Sequence, residues 1–369
     1  MWPDCSRDPD GLALLRAALT QPAEDTPRLL LADWLQEHDE EAVAVALRKS
    51  IGNRDEWGDF PDEVLGRWYP WNAILDGWVV ILLMRWPLPE NLSDSPWITF
   101  LDLSSAGATD TGLKDLAGLT NLTTLDLRYT QVSDAGLKEL AGLTNLTTLS
   151  LYDTDVTGVG LKELAALTSL TTLSLGETEM TDAGLKELAG LKNLTSLSLH
   201  GCRHVTDAGL RELAALTSLT TLNLLTVTDR TLAVLRDINL LHTLSLATAA
   251  NGKRPTKPED VTTLDLRYER KVSNTYSVTD AGLKELAALK NLTTLDLGGT
   301  QVAGAGLKEL ATLTSLTTLR LWGTQVTDAG LKGLAALTSL TDLDLRGTLV
   351  TDAGVAELQM ALPKCKISK

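Results

Sequence analysis

The sequence predicts an α/β solenoid in which short parallel strands and short helices stack unit on unit behind a small helical module. Three observations predict it. From Ile98 the chain cycles with a period of 24, with units beginning at Ile98, Leu122, Leu146, Leu170 and Leu194 and again at Leu292, Leu316 and Leu340. Self-similarity at such a period marks a stacked-repeat architecture. Inside each period the apolar residues first alternate and then recur at helical spacing. Eight of the nine tryptophans fall in the first 97 residues, which carry 18 acids against 8 bases, so composition changes near Trp97.

In chain order, Thr26 is placed to cap a helix whose first position is Pro27, where a missing N–H costs nothing. Leu30, Leu31, Trp34 and Leu35 then form an apolar stripe. The run Asp25-Thr26-Pro27-Arg28-Leu29-Leu30-Leu31-Ala32-Asp33-Trp34-Leu35-Gln36-Glu37-His38 resembles the bacterial repeat-companion domain, a helical module that precedes repeat arrays. The closing helix of that family is matched only loosely by Val43-Ala44-Val45-Ala46-Leu47-Arg48. The resemblance implies no enzymatic activity. Residues 50–97 are rich in Trp and Pro and hold an apolar stretch from Trp71 to Trp86. The first unit of a solenoid exposes an apolar end, and this segment is read as its cap in preference to a separate ligand pocket.

One unit, Leu122 to Asn145, shows how the repeat works. Leu122, Leu125 and Leu127 point one way and Thr124, Asp126 and Arg128 the other, as in a half-buried strand. Ser133 then stands at a helix N-cap with Asp134 in the first turn, and Val132 and Leu137 form a hydrophobic staple. Leu137, Leu140 and Leu143 follow at helical spacing while Lys138 and Glu139 face water. The recurring LxxLxLxxT and VTDAGLKEL motifs, the latter as in Val326 to Leu334, are similar to the leucine-rich repeat family over about 270 residues. Gly201-Cys202 followed by Val-Thr-Asp-Ala-Gly-Leu resembles its ribonuclease-inhibitor-like and cysteine-containing subclasses. The resemblance implies a right-handed horseshoe with a parallel concave sheet and convex helices. The domains expected are therefore 1–49, a helical companion-like module; 50–97, the Trp-rich cap; and 98–369, about 11 units, irregular at 219–291.

Charge and composition narrow the function. With 33 Lys+Arg against 48 Asp+Glu the chain is at −15, which disfavours nucleic acid and anionic membrane surfaces as partners. The longest apolar run, Trp78 to Met84, is too short to span a bilayer, and Met1-Trp2-Pro3-Asp4 opens without a basic leader. Cys5, Cys202 and Cys365 are odd in number and far apart, which does not suggest a disulfide framework. A cytoplasmic, bacterial protein is expected.

No catalytic residue is assigned. The four histidines make no His-x-x-x-His pair, and no phosphate loop or nucleophile elbow occurs. His200, Cys202 and His204 alternate like metal ligands, but Cys202 sits where such repeats bury a small residue, so neither metal nor cofactor is expected. Asn121, Asn145, Asn193 and Asn291 read as repeat ends rather than glycosylation acceptors. Equivalent strand positions form ladders. At the fifth position these read Asp102, Asp126, Ser150, Ser174, Ser198, Asn223, Ser245, Asp265, Asp296, Arg320 and Asp344. Arg320 between Asp296 and Asp344 suggests an ion-pair rung, and a cation between Asp102 and Asp126 is the less favoured alternative to compensation by arginine.

At the strand exits the sequence varies most. Arg128-Tyr129, Tyr152-Asp153, Glu177, His200, Arg267-Tyr268 and Trp322, with Arg320, are the candidate partner-binding residues. Tyr, Trp and Arg are the types enriched in binding hot spots. The plainer alternative is that these aromatics fill the inner surface of the horseshoe. Lys253, Arg254, Lys257, Arg270 and Lys271 form a basic cluster in the irregular 247–277 stretch, read either as functional loops or as a decayed repeat. The resemblance implies a non-catalytic scaffold or adaptor that binds a protein through the concave face, with no small-molecule substrate. The alternative is the substrate-recruiting part of a ligase-type modifying enzyme, for which Cys5 is the one N-terminal nucleophile.

Overall fold

The structure, a computed structural model, describes residues 99–245, 247–267 and 278–369, strand residues 74–75 and 78–81, and the helical residues Asp10, Leu14, Leu30, Asp33, Gln36 and Glu37. The remainder of the companion-like module and of the 50–97 segment, with Cys5, Tyr268, Arg270 and Lys271, lies outside the described residues. Leu30, one member of the expected N-terminal stripe, is half exposed. The chain forms two compact units, 1–156 with 163–170 and 157–162 with 171–369.

In the first unit β1 (Ile74–Leu75) pairs antiparallel with β2 (Trp78–Ile81), and β2 runs parallel to β3 (Phe100–Asp102). The apolar stretch of the 50–97 segment therefore adds strands to the edge of the repeat sheet. From β3 to β4 (Thr124–Asp126) and β5 (Thr148–Ser150) the strands are parallel and in register, Leu101 opposite Leu125 opposite Leu149. The alternation expected for these strands holds: Leu122, Leu125 and Leu127 are fully buried, Thr124 and Asp126 half-buried, and Arg128 exposed. Each buried leucine contributes about 1.5–3 kcal/mol of burial free energy.

The second unit begins with parallel strands β6 (Thr172–Ser174), β7 (Ser196–Leu199) and β8 (Thr221–Leu224). It continues in a further sheet of β9 (Ala247–Ala249), β10 (Val261–Asp265), β11 (Thr294–Asp296), β12 (Thr318–Arg320), β13 (Asp342–Asp344) and β14 (Lys366–Ser368). Here the expected fifth-position ladder changes. Leu244 bridges Leu222, but β9 then runs antiparallel to β10, so Ser245 has no rung with Asp265. The short unit keeps only the three-residue 3-10 turns Leu241–Thr243 and Pro258–Asp260; the chain turns back through Asn251 and Gly252, whose φ of 72° only glycine adopts cheaply. β14 continues the sheet where no strand was expected, with Leu362 and Cys365 buried beneath it.

The helical parts are of two kinds. Gly112–Leu116, Leu137–Leu140, Gly209–Ala215, Leu283–Ala288 and Leu307–Thr312 are 3-10 turns, not α-helix. Leucine spacing does not decide between the two, since Leu137, Leu140 and Leu143 at a 3-10 turn and Leu185, Leu188 and Leu191 at an α-turn are alike three apart. True α-turns occur at α1 (Asp182–Glu187), α2 (Asp229–Asp237), α3 (Asp328–Leu331) and α4 (Asp352–Ala361). Thr181, Thr228 and Thr351 cap α1, α2 and α4, each accepting an N–H three residues on.

Ser133, expected as such a cap, accepts the Ala135 N–H at 3.2 Å and does something more. Its own N–H and hydroxyl donate to the Asp110 carboxylate of the preceding repeat, at 2.7 and 2.6 Å. The same grip recurs at Asp182–Thr206, Asp229–Thr279 and Asp328–Thr351. A second cross-repeat ladder runs along the strand entries, where the hydroxyls of Thr123 and Thr147 donate to the carbonyls of Thr99 and Thr123 at 2.8 and 3.0 Å. In the second unit Thr317 and Thr341 do likewise to Thr293 and Thr317. The asparagines that end repeats are tied in as well, Asn145 to the Thr120 carbonyl and Asn291 to that of Glu259.

Candidate functional surface

Each strand leaves the sheet through a turn whose eighth repeat position is left-handed. Ser105, Tyr129, Asp153 and Glu177 hold φ of 56, 57, 52 and 54°, whereas Gly201, Gly299, Gly323 and Gly347 fill the same position elsewhere. The turn is closed one residue later by a threonine: Thr130, Thr154, Thr178, Thr300 and Thr324 donate their hydroxyls to the last strand leucine's carbonyl. The N–H of the left-handed residue reaches the next repeat, Tyr129 to the Tyr152 carbonyl at 3.0 Å and Glu177 to that of His200 at 2.7 Å. The eighth side chain is therefore held out from the end of its strand by a backbone that cannot easily relax.

In the first unit Tyr129 is 52% exposed and meets Tyr152 edge to face, ring centres 5.5 Å apart and planes at 69°. Such a pair contributes about 0.5–1.5 kcal/mol beyond its buried area. Arg128 grips Asp126 with Nε at 2.7 and 2.9 Å. Burial pushes the Asp126 carboxyl above its ordinary range, the Arg128 backbone N–H opposes that, and neighbouring Asp102 adds to the rise. Asp153 is exposed beside the pair.

In the second unit the sheet face is settled by arginines. Asp-Leu-Arg places both charges on one face as expected, with Arg267 on Asp265 at 3.1 Å and Arg346 forked onto Asp344 at 2.9 and 2.6 Å. The Arg346 hydrogen bonds hold the Asp344 carboxyl below its ordinary range, whereas burial raises that of Asp296. Arg320 approaches Asp296 at 3.7 Å, so the expected rung forms on one side and Asp344 is held by its own strand. Trp322 is half-buried, not free: its indole lies over Gly298, where a Cβ would come within 2.1 Å of the ring. Small residues opposite a large one were the available signal.

The other sequence candidates divide clearly. The Glu177 carboxylate rests over Gly201, and His200 is half-buried. Cys202 Sγ donates to the Leu175 carbonyl at 3.0 Å, and His204 pairs with Glu179 at 2.7 Å, so these two members of the alternating trio are engaged in different places. Burial pushes the Cys202 thiol up. Lys253 and Lys257 are exposed. Arg254 is spent inside the fold: its guanidinium donates to the carbonyls of Ser245 and Ala247 at 2.7 and 2.8 Å and to the Thr221 hydroxyl at 3.1 Å. That is a brace for the irregular repeat, and burial lowers its pKa.

A family model described as a leucine-rich repeat region matches residues 88–365. No curated protein matches the chain. Among solved structures, the crystal structure of an internalin from Listeria monocytogenes is 22% identical, with a TM-score of 0.43, over 76% of this chain and 89% of that one. Internalin C2 from the same organism is 24% identical, with a TM-score of 0.33, over 73% and 85%. Among the described residues, no helix is long and apolar enough to cross a membrane.

Proposed function

The chain belongs to the leucine-rich repeat region family, and from that premise we propose that it is a non-catalytic scaffold whose protein partner docks on the sheet face and on the 247–277 loops. The observation that carries this reading is the Tyr129–Tyr152 pair, half exposed and held out on a left-handed turn beside the Arg128–Asp126 fork. Rigid aromatics at low entropy cost are what protein interfaces use as anchors. In the second unit Lys253 and Lys257 are exposed, and Arg254 holds the loop that presents them.

The test is capture of a partner from source-cell lysate, read by mass spectrometry, with the whole chain as bait. Joint replacement of Arg128, Tyr129, Tyr152 and Trp322 by Ala abolishes the capture and leaves the circular dichroism spectrum of the array intact. Undiminished capture by that variant removes the surface from consideration.

A further inference from the structure

The two units differ in how their sheet faces balance charge. In the second, Asp265, Asp296 and Asp344 each have an arginine at hand. In the first, Arg128 answers Asp126, but Asp102, its neighbour on the ladder, accepts only the Ser104 N–H, at 2.8 Å, among the described residues. Asp153 has no ion-pair partner among the described residues. Asp102, Asp126 and Asp153 against Arg128 leave this face at a formal −2.

The exit turn supplies a second, independent observation. Glycine serves it at Gly299, Gly323 and Gly347, yet here it carries Tyr129, a bulky residue in a conformation that disfavours one. The fold does not require that side chain, so its presence answers to what it displays. What it displays is an open ring, edge-on to Tyr152, on a face with carboxylates to spare. An aromatic face attracts a cation, and unpaired carboxylates complete its recognition.

We infer that the β3–β5 face binds a segment of a protein partner bearing lysines or arginines, their charged ends drawn to Asp102 and to Asp153 and an aliphatic stem across Tyr129. This rests on the protein-binding reading and names the chemistry of the partner. Long basic side chains suit such a site because stem and head are recognised separately.

The probe is a fluorescein-labelled oligolysine, titrated with the whole chain at physiological salt and read by anisotropy. Tyr129→Gly, which installs the residue other repeats use, and Asp102→Asn each weaken binding by about fivefold or more. Asp115→Asn, which removes the same charge from an exposed helical turn, changes it by less than about twofold. Thermal melts confirm that all three variants fold. The inference is overturned if oligolysine does not bind, if oligoglutamate of equal length binds as well, or if Asp115→Asn costs as much as Asp102→Asn. Partner capture lost in the quadruple variant, with oligolysine binding indifferent to Tyr129→Gly, sinks the basic-segment inference alone. Capture that survives the quadruple variant sinks the surface itself.

Discussion

At the scale of single residues the exit turn separates what is structural from what is displayed. Gly323 has φ of 65°, and a Cβ built there meets nothing closer than 3.8 Å, so space is not the constraint. Gly323→Ala therefore costs only the left-handed strain, about 1 kcal/mol, read as a lowered denaturation midpoint at unchanged m-value. Position eight was legible in the sequence as the place of greatest variation. Its backbone state was not, because Ser, Tyr, Asp and Glu stand there beside Gly and none of them announces a positive φ. The same blindness hid Arg254, which reads as one of a basic cluster until its carbonyl partners are seen.

At the scale of elements, strand register and buried leucines could be read directly, since a period of 24 fixes both. Helix type was not legible, because leucines recur at three in the 3-10 turns and at α1 and α3 alike. The irregular repeat was visible as a missing helix signature; that its chain would fold back as an antiparallel strand depended on a turn no periodicity encodes. His242 lies in the short Leu241–Thr243 turn of that repeat, 4% exposed, with both ring nitrogens out of hydrogen-bond geometry. Burial pushes its pKa below the ordinary value, opposed by the nearby backbone of Leu219 and Asn239 and by Asp260 and Glu259. The folded state thus favours the neutral ring. The resulting stability is present above the unfolded pKa of about 6.5 and is lost as pH falls through it toward the depressed folded value. His242→Leu is expected to flatten the melting temperature over that acid limb, from about pH 7 to about pH 5; a limb of unchanged slope assigns it to other groups.

At the scale of the whole molecule, stability is a sum of near-identical steps, each repeat covering the leucines of the next. Along the regular repeats the threonine ladder obeys one arithmetic, whereas the aspartate grip spans 23, 24 or 50 residues. Thr123 reaches back 24 residues to Thr99, and Thr147 reaches back 24 to Thr123. Excision of residues 122–145 would bring the Thr147 hydroxyl to the Thr99 carbonyl without altering either. That shortened chain is expected to fold with an unchanged shape of circular dichroism spectrum and a single cooperative melt; a broadened, partial transition contradicts it. Because the threonine bonds between regular repeats are interchangeable with their neighbours', a misaligned exchange between two copies of the gene that adds or drops one 72-base-pair module, three bases for each of the 24 residues, is expected to yield another foldable protein. The length of the array is then open to inheritance in whole steps, while a face such as that around Tyr129 is altered one codon at a time.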